Sequence, residues 1–300
     1  MQYVPTTLAR SLELPSIISI HYFEYTSDFR YGGERHDFWE LIVCDKGELC
    51  ITAGDRELTL AKGQAYLHPP MQFHNVRVNG ETAANSVILS FESPTKELSL
   101  IADKVLDVDT YVSTALFSVL KEAERSFDNK LGRVIDPCLK RNQKPKPFAS
   151  EQMIQNYAEL LLIHLVRSQI TPDDKVKLPT HVKKSELAER IVAYMEENLA
   201  EKMTFTDISK RFSISATSLK KLFSDTYGHG ALEHLTYLRI ERAKQLLRDQ
   251  RHSCTEIATL CGFCSVHHFS NTFKKSEDMS PTEYVRTIKS MLETADEGIL

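Results

Sequence analysis

Two imidazoles and a carboxylate, His36, Glu40 and His74, carry the ionisable chemistry of the N-terminal half. Imidazole nitrogen and carboxylate oxygen suit several divalent metals, so the three could form a three-ligand metal site. The same groups could line a barrel that binds a small organic effector, or could be structural polar groups in a barrel interior. The effector reading is favoured, with His36, Phe38, Glu40 and His74 as the binding residues and no cofactor or metal ion. A period of two puts His36, Phe38, Glu40 and Ile42 on one face of an extended segment. That face is expected to look inward, and barrel mouths are common ligand sites.

Cys261-Gly262-Phe263-Cys264 has the spacing of a redox or zinc pair. No second pair lies near it, and the other cysteines are scattered at 44, 50, 138 and 254. All six therefore read as free thiols in a reducing cytoplasm.

The third chemistry is polar and basic, and it rests on a repeat. Thr206-Asp207-Ile208-Ser209-Lys210-Arg211-Phe212 is echoed by Thr255-Glu256-Ile257-Ala258-Thr259-Leu260-Cys261. Each stretch leads through a short turn into a second helical pattern, ending at Phe223 and Phe273 respectively. In the first copy Thr206 is the expected N-cap, with Asp207 in the first turn. Ser215 caps the next helix, whose Leu219, Leu222 and Phe223 make a buried stripe. Its other face carries Thr217, Lys220, Lys221 and Ser224, and Gly228 marks its end. In the second copy the turn is one residue longer and uses Gly262. Ile257 and Leu260 are the expected inner face of its first helix. Ser265 caps its second, with Phe269 and Phe273 inside and His267, Ser270, Asn271 and Lys274 outside. Ser280-Pro281-Thr282-Glu283 reads as a capping box opening a last short helix.

Between the copies, Leu232, Leu235, Leu238, Ala243, Leu246 and Leu247 make an amphipathic helix over about 231–247. It spans roughly 25 Å. Two helix-turn-helix units on such a spacer can reach successive major grooves, about 34 Å apart. Over 181–292 the chain has 17 Lys plus Arg against 14 Asp plus Glu. So small an excess means that phosphate attraction must come from the placement of Lys220, Lys221, Lys274 and Lys275 rather than from net charge. Asn pairs well with adenine and Lys with guanine. The expected DNA-contacting set is Ser215, Thr217, Lys220, Lys221, Ser224, Ser265, His267, Ser270, Asn271 and Lys274.

The order of these residues is specific. Ser215…Leu219…Leu222-Phe223, Gly228, Leu238-Arg239-Ile240…Ala243-Lys244, Ile257-Ala258…Gly262-Phe263…Ser265…Phe269…Phe273-Lys274-Lys275 and Ser280-Pro281…Tyr284 resemble the DNA-binding domain of the AraC/XylS transcription regulators over about 184–288. His229 and Cys264 depart from the family's usual residues. Thr217, His267 and Asn271 fall where the family usually reads base edges. The resemblance implies an activator that contacts RNA polymerase and binds double-stranded DNA as a homodimer, in response to a small-molecule effector.

From about Ile17 to Phe91, short alternating or apolar runs are separated by turns such as Asp45-Lys46-Gly47 and Gly54-Asp55, which argues for a β-sandwich or barrel. His36, Glu40 and Gly47, then Gly63, Pro69 and His74, resemble the two motifs of the cupin barrel. The first motif's second histidine is missing, and Met71 replaces the second motif's inner glycine. Helical patterns follow over 109–170, interrupted by the polar loop Arg141–Pro147, and resembling proteins dimerise there.

The expected architecture is therefore α+β, with an N-terminal cupin-like jelly-roll β-barrel, accessory helices and a C-terminal all-α tandem helix-turn-helix domain. The expected segments are 1–108 (sensor), 109–170 (helical dimerisation region), 171–183 (linker) and 184–300 (DNA-binding domain). A net charge of −4 argues against a general nucleic-acid coat. No apolar run approaches the roughly 18 residues of a membrane span. The start, Met1-Gln2-Tyr3-Val4-Pro5, lacks a signal-peptide pattern, so a cytoplasmic, non-enzymatic protein is expected. The rival readings are a metal-dependent cupin enzyme with a DNA-binding tail and a regulator that senses a protein partner.

Overall fold

The computed structural model describes residues 3–129, 131–132, 138–170 and 181–288, with the backbone alone over 181–186. The chain splits into two compact units, the second running from Lys175 to Ser290. Most of the expected linker, 171–180, lies outside the described residues, as does the expected domain's tail, 289–300. A helix starts at His181, inside the stretch assigned to the linker.

The N-terminal unit is built from two antiparallel sheets. The strands are β1 (Ser16–Tyr25), β2 (Trp39–Lys46), β3 (Glu48–Ala53), β4 (Arg56–Ala61), β5 (Gln64–His68), β6 (His74–Val78), β7 (Ala84–Glu92) and β8 (Val105–Asp107). One sheet has the order β1-β7-β2-β5-β8 and the other β4-β3-β6. Strand β8, only three residues long, lies beyond the range Ile17–Phe91 read as strands, and in β6 polar Asn75 and Arg77 interleave with valines.

Strand β2 explains how the unit is layered. Leu41 and Val43 join Val87, Leu89 and Phe91 beneath α1 (Thr110–Ser126) and α2 (Ser150–Ile170). Ile42 and Cys44, the alternate residues, join Leu49, Ile51, Leu60, Val76 and Val78 of the second sheet. The larger sheet is thus covered on both faces, by helices on one and by a sheet on the other. An apolar run such as Leu41-Ile42-Val43-Cys44 is what such a doubly covered strand needs.

The C-terminal unit contains α3 (His181–Glu197), α4 (Phe205–Arg211), α5 (Ala216–Tyr227), α6 (Ala231–Asp249), α7 (Cys254–Leu260) and α8 (Val266–Glu277), followed by helical residues 281–288. Helix α6, about 28 Å long, serves two cores. Its Ala231, Leu235 and Leu238 pack with α3, α4 and α5 around Ile191, Ile208, Leu219 and Phe223. Its Ile240, Ala243, Leu246 and Leu247 pack with α7 and α8 around Ile257, Phe269, Phe273 and Tyr284. Each helix-turn-helix unit therefore has its own core, and one helix holds both.

Several local expectations need correction. The α4 N-cap is Thr204 rather than Thr206, in a reciprocal capping box with Asp207. Ser253 and Glu256 do the same for α7. Leu260 is 46% exposed, because α7 turns Ala258 and Cys261 inward beside Ile257. Leu232 is also exposed, lying in the first turn of α6 away from both cores. The box of Ser280 and Glu283 is present as read. All six cysteines are free thiols. Among the described residues, no helix is long and apolar enough to cross a membrane.

Candidate functional site

The polar face of α5 is built first by its caps. Ser215 accepts from the Ser218 amide, and Gly228 closes the helix in the left-handed conformation at φ 77°. Burial of Leu219, Leu222 and Phe223 turns Thr217, Lys220, Lys221 and Ser224 to the outside, and all four are exposed. The second copy repeats this. Ser265 accepts from the His268 amide, and burial of Phe269 and Phe273 leaves His267, Asn271 and Lys274 exposed. Ser270 is half-buried at the edge of that face. Ser215 and Ser265 are exposed as well, but their hydroxyls are engaged in holding helix ends. Such ends point backbone N–H groups and a positive partial charge outward, which suits a phosphate.

Sequence reading named Arg239 as a motif residue but gave it no role, and it ties the two copies together. From the middle of α6 its Nε donates to the Leu199 carbonyl at 3.1 Å, and Nη2 donates to the Glu201 carbonyl at 2.7 Å. Gly262, in the second copy's turn, sits against the same groups. A Cβ there would lie 2.2 Å from the Leu199 oxygen and 2.8 Å from Arg239 Nη2. Burial lowers the Arg239 pKa, with Cys261 opposing weakly.

In the N-terminal unit, the alternation of β2 that sends Leu41 toward the helices sends Glu40 between the sheets. It is 6% exposed. Its cross-strand neighbours are His68 and Ser90, and Ser90 Oγ donates to Glu40 Oε2 at 3.0 Å. His74 reaches the carboxylate from β6, with Nε2 3.3 Å from Oε1. His36 approaches from the segment before β2, with Nε2 3.5 Å from Oε2. Phe38 stacks on the His36 ring, with centroids 3.8 Å apart. All four residues expected to bind the effector are therefore in one place.

Two neighbours were missed. Glu34 pairs with His74 across strands through reciprocal backbone hydrogen bonds, and its carboxylate lies 3.8 Å from His74 Nε2. Its i,i+2 relation to His36 was the available signal. His68, on β5, stacks on His74 at 4.4 Å.

The electrostatics of the cluster are those of crowded charges. Burial by itself would raise Glu40, but the His36 and His74 imidazoles outweigh it and hold the carboxyl below the ordinary range. Burial depresses His74, and the Glu40 carboxylate reverses this and raises it. Glu34, half-exposed, is raised by partial loss of solvent and by the Glu40 charge. Burial, with His74 adding to it, lowers His68 to about 4 and keeps it neutral at pH 7. An open cleft of about 240 Å³ is lined by Pro15, Asp37, Phe38, Trp39, Pro70 and residues 92–94, and it shares only Phe38 with the four expected effector residues.

Comparison with known proteins assigns a domain to each half of the chain. The family model described as the AraC-like ligand binding domain matches residues 17–119. A second, described as a helix-turn-helix domain, matches residues 208–287. The chain is 24% identical over 265 residues to the uncharacterized HTH-type transcriptional regulator YfiF of Bacillus subtilis, covering 87% of this chain and 81% of that one. It is 34% identical over 94 residues to the HTH-type transcriptional activator RhaS of Salmonella schwarzengrund, covering 31% of this chain and 34% of RhaS. This chain thus matches about a third of the length of that activator. A crystal structure of an AraC-type DNA-binding domain protein from Chromobacterium violaceum is 29% identical, covers 36% of this chain and 96% of that one, and has a TM-score of 0.34. With an AraC-like ligand-binding domain over 17–119 and a helix-turn-helix domain over 208–287, the chain has the make-up of an AraC-type DNA-binding transcription regulator.

Proposed function

We propose that this regulator binds a small-molecule effector at His36, Phe38, Glu40 and His74, and that occupancy of the site changes how the exposed faces of α5 and α8 engage double-stranded DNA. The observation that carries the reading is a buried charged cluster converging from both sheets, in a domain separate from the two exposed recognition faces. Charge buried between sheets costs stability unless it is compensated, so it marks a site rather than a packing solution. The DNA contacts are assigned to Ser215, Thr217, Lys220, Lys221, Ser224, Ser265, His267, Ser270, Asn271 and Lys274. The protein acts as a cytoplasmic homodimer and carries no catalytic reaction. Similarity to the activator RhaS supports activation as the output, and RNA polymerase is the partner through which it would act. An effector can shift the regulator only if it binds two domain arrangements with different affinity.

The test is operator binding by the full chain with and without candidate small polar metabolites, followed by fluorescence anisotropy. Glu40→Gln is expected to keep basal DNA affinity within about twofold and to lose the effector response. An unchanged response in Glu40→Gln would refute the assignment of the site. The operator itself is obtained by selection from random-sequence duplexes.

A further inference from the structure

We propose that the cluster Glu34, His36, Glu40 and His74 is a binding site for one divalent first-row transition-metal ion. This deepens the proposed function and rests on its reading of the same site. Each residue offers one ligand atom, and these atoms lie within 4.8 Å of one another.

The orientation of the imidazoles is the main argument. His36 Nδ1 lies 3.1 Å from the Phe38 carbonyl, and His74 Nδ1 lies 3.0 Å from the Gln72 carbonyl. A carbonyl only accepts, so both Nδ1 atoms carry the proton. In the neutral ring this leaves a lone pair on Nε2, the arrangement in which a backbone carbonyl fixes a metal-binding histidine. Both Nε2 atoms are buried, and neither makes a directed hydrogen bond. Both face the Glu40 carboxylate, with a second carboxylate, Glu34, beside it. Two imidazole Nε2 atoms and two carboxylates converge on one point, where positive charge between them is stabilised whether it comes as a proton on Nε2 or as a metal ion that displaces that proton. Two nitrogens, two oxygens and no thiolate suit zinc, iron(II), cobalt(II), nickel or manganese rather than copper(I).

The test is titration of the purified full chain with cobalt(II), read by visible absorbance, and with zinc(II), read by calorimetry. The expected result is one ion per chain, without a thiolate-to-cobalt charge-transfer band. Glu40→Gln and His74→Asn are expected to weaken binding by at least the roughly 10- to 100-fold that loss of an outer partner costs elsewhere. Glu34 is 46% exposed at its side chain, so Glu34→Gln leaves the fold intact, and it is expected to weaken binding about tenfold or more. Absence of saturable binding to the wild-type chain below about millimolar metal, or affinity retained in both Glu34→Gln and Glu40→Gln, overturns the proposal. Anisotropy on the selected operator separates the two readings. Metal bound at the cluster with no change in operator affinity supports the metal site and removes its sensing role. An organic effector response lost in Glu40→Gln, in a chain that binds no metal, overturns the metal site and leaves the sensor.

Discussion

Lys220→Ala and Asn271→Ala are each expected to weaken binding to a selected operator by about 1–3 kcal/mol, roughly 5- to 150-fold, with melting temperature unchanged. Both side chains are exposed, on α5 and α8 respectively, and neither belongs to a core. Their loss should therefore cost DNA contacts and not folding. The two variants also differ in a readable way. If Asn271 reads an adenine edge, its replacement relaxes specificity at one base pair and leaves the salt slope alone. If Lys220 touches phosphate, Lys220→Ala weakens binding evenly across sequences and lowers the salt slope by about one. If Lys220 reads guanine, discrimination at one position falls instead. Gel-shift titrations on the operator and on single-base variants, at several salt concentrations, decide among these. Unchanged affinity in both variants would show that α5 and α8 are not the reading helices.

The second large effect is expected from Gly262→Ala, compared with Gly228→Ala. Both glycines are left-handed, at φ 73° and φ 77°. An alanine at either position pays conformational strain of about 1–3 kcal/mol. At Gly228 the space where a Cβ would go is empty to 4 Å. At Gly262 the new Cβ would sit 2.2 Å from the Leu199 carbonyl, a backbone atom that cannot swing aside. Something must move, and the elements involved are the turn leading into α8, the loop after α3 and Arg239 on α6. Gly228→Ala should lower stability modestly and leave operator affinity, measured well below the melting temperature, nearly unaltered. Gly262→Ala should be the less stable variant and should also lose operator affinity, because it shifts one recognition helix relative to the other. Thermal melts paired with anisotropy read both quantities. Equal losses in the two variants would mean that the contact between the copies does not set their geometry.

How much of this was legible in the sequence differs between the two halves. The C-terminal helices could be read because helix caps, turn glycines and a 3.6-residue stripe are local signals. Ser215, Ser265, Gly228 and Gly262 do what their types predict. The misreadings there were also local. Thr206 lost the cap to Thr204 because Asp207 must sit three residues after the cap to reach back to it. Leu260 is exposed because α7 ends there and only one side of so short a helix meets the core. In the N-terminal half, His36, Glu40 and His74 could be picked out by type and by alternation. Glu34 offered only its i,i+2 relation to His36, and His68 could not be joined to them at all, because the pairing of β2 with β5 had first to exist.

The sequence alone determined that a strand-rich half precedes a helical half with two helix-turn-helix units, and picked out His36, Glu40, His74 and the polar faces of α5 and α8, since each follows from patterns a few residues long. The tertiary structure alone decided that one helix carries both cores, that Gly262 seats the second copy against Arg239 and Leu199, and that two imidazoles meet two carboxylates. Those facts join residues tens of positions apart. Their distances are fixed by strand register and core packing, which no local pattern encodes.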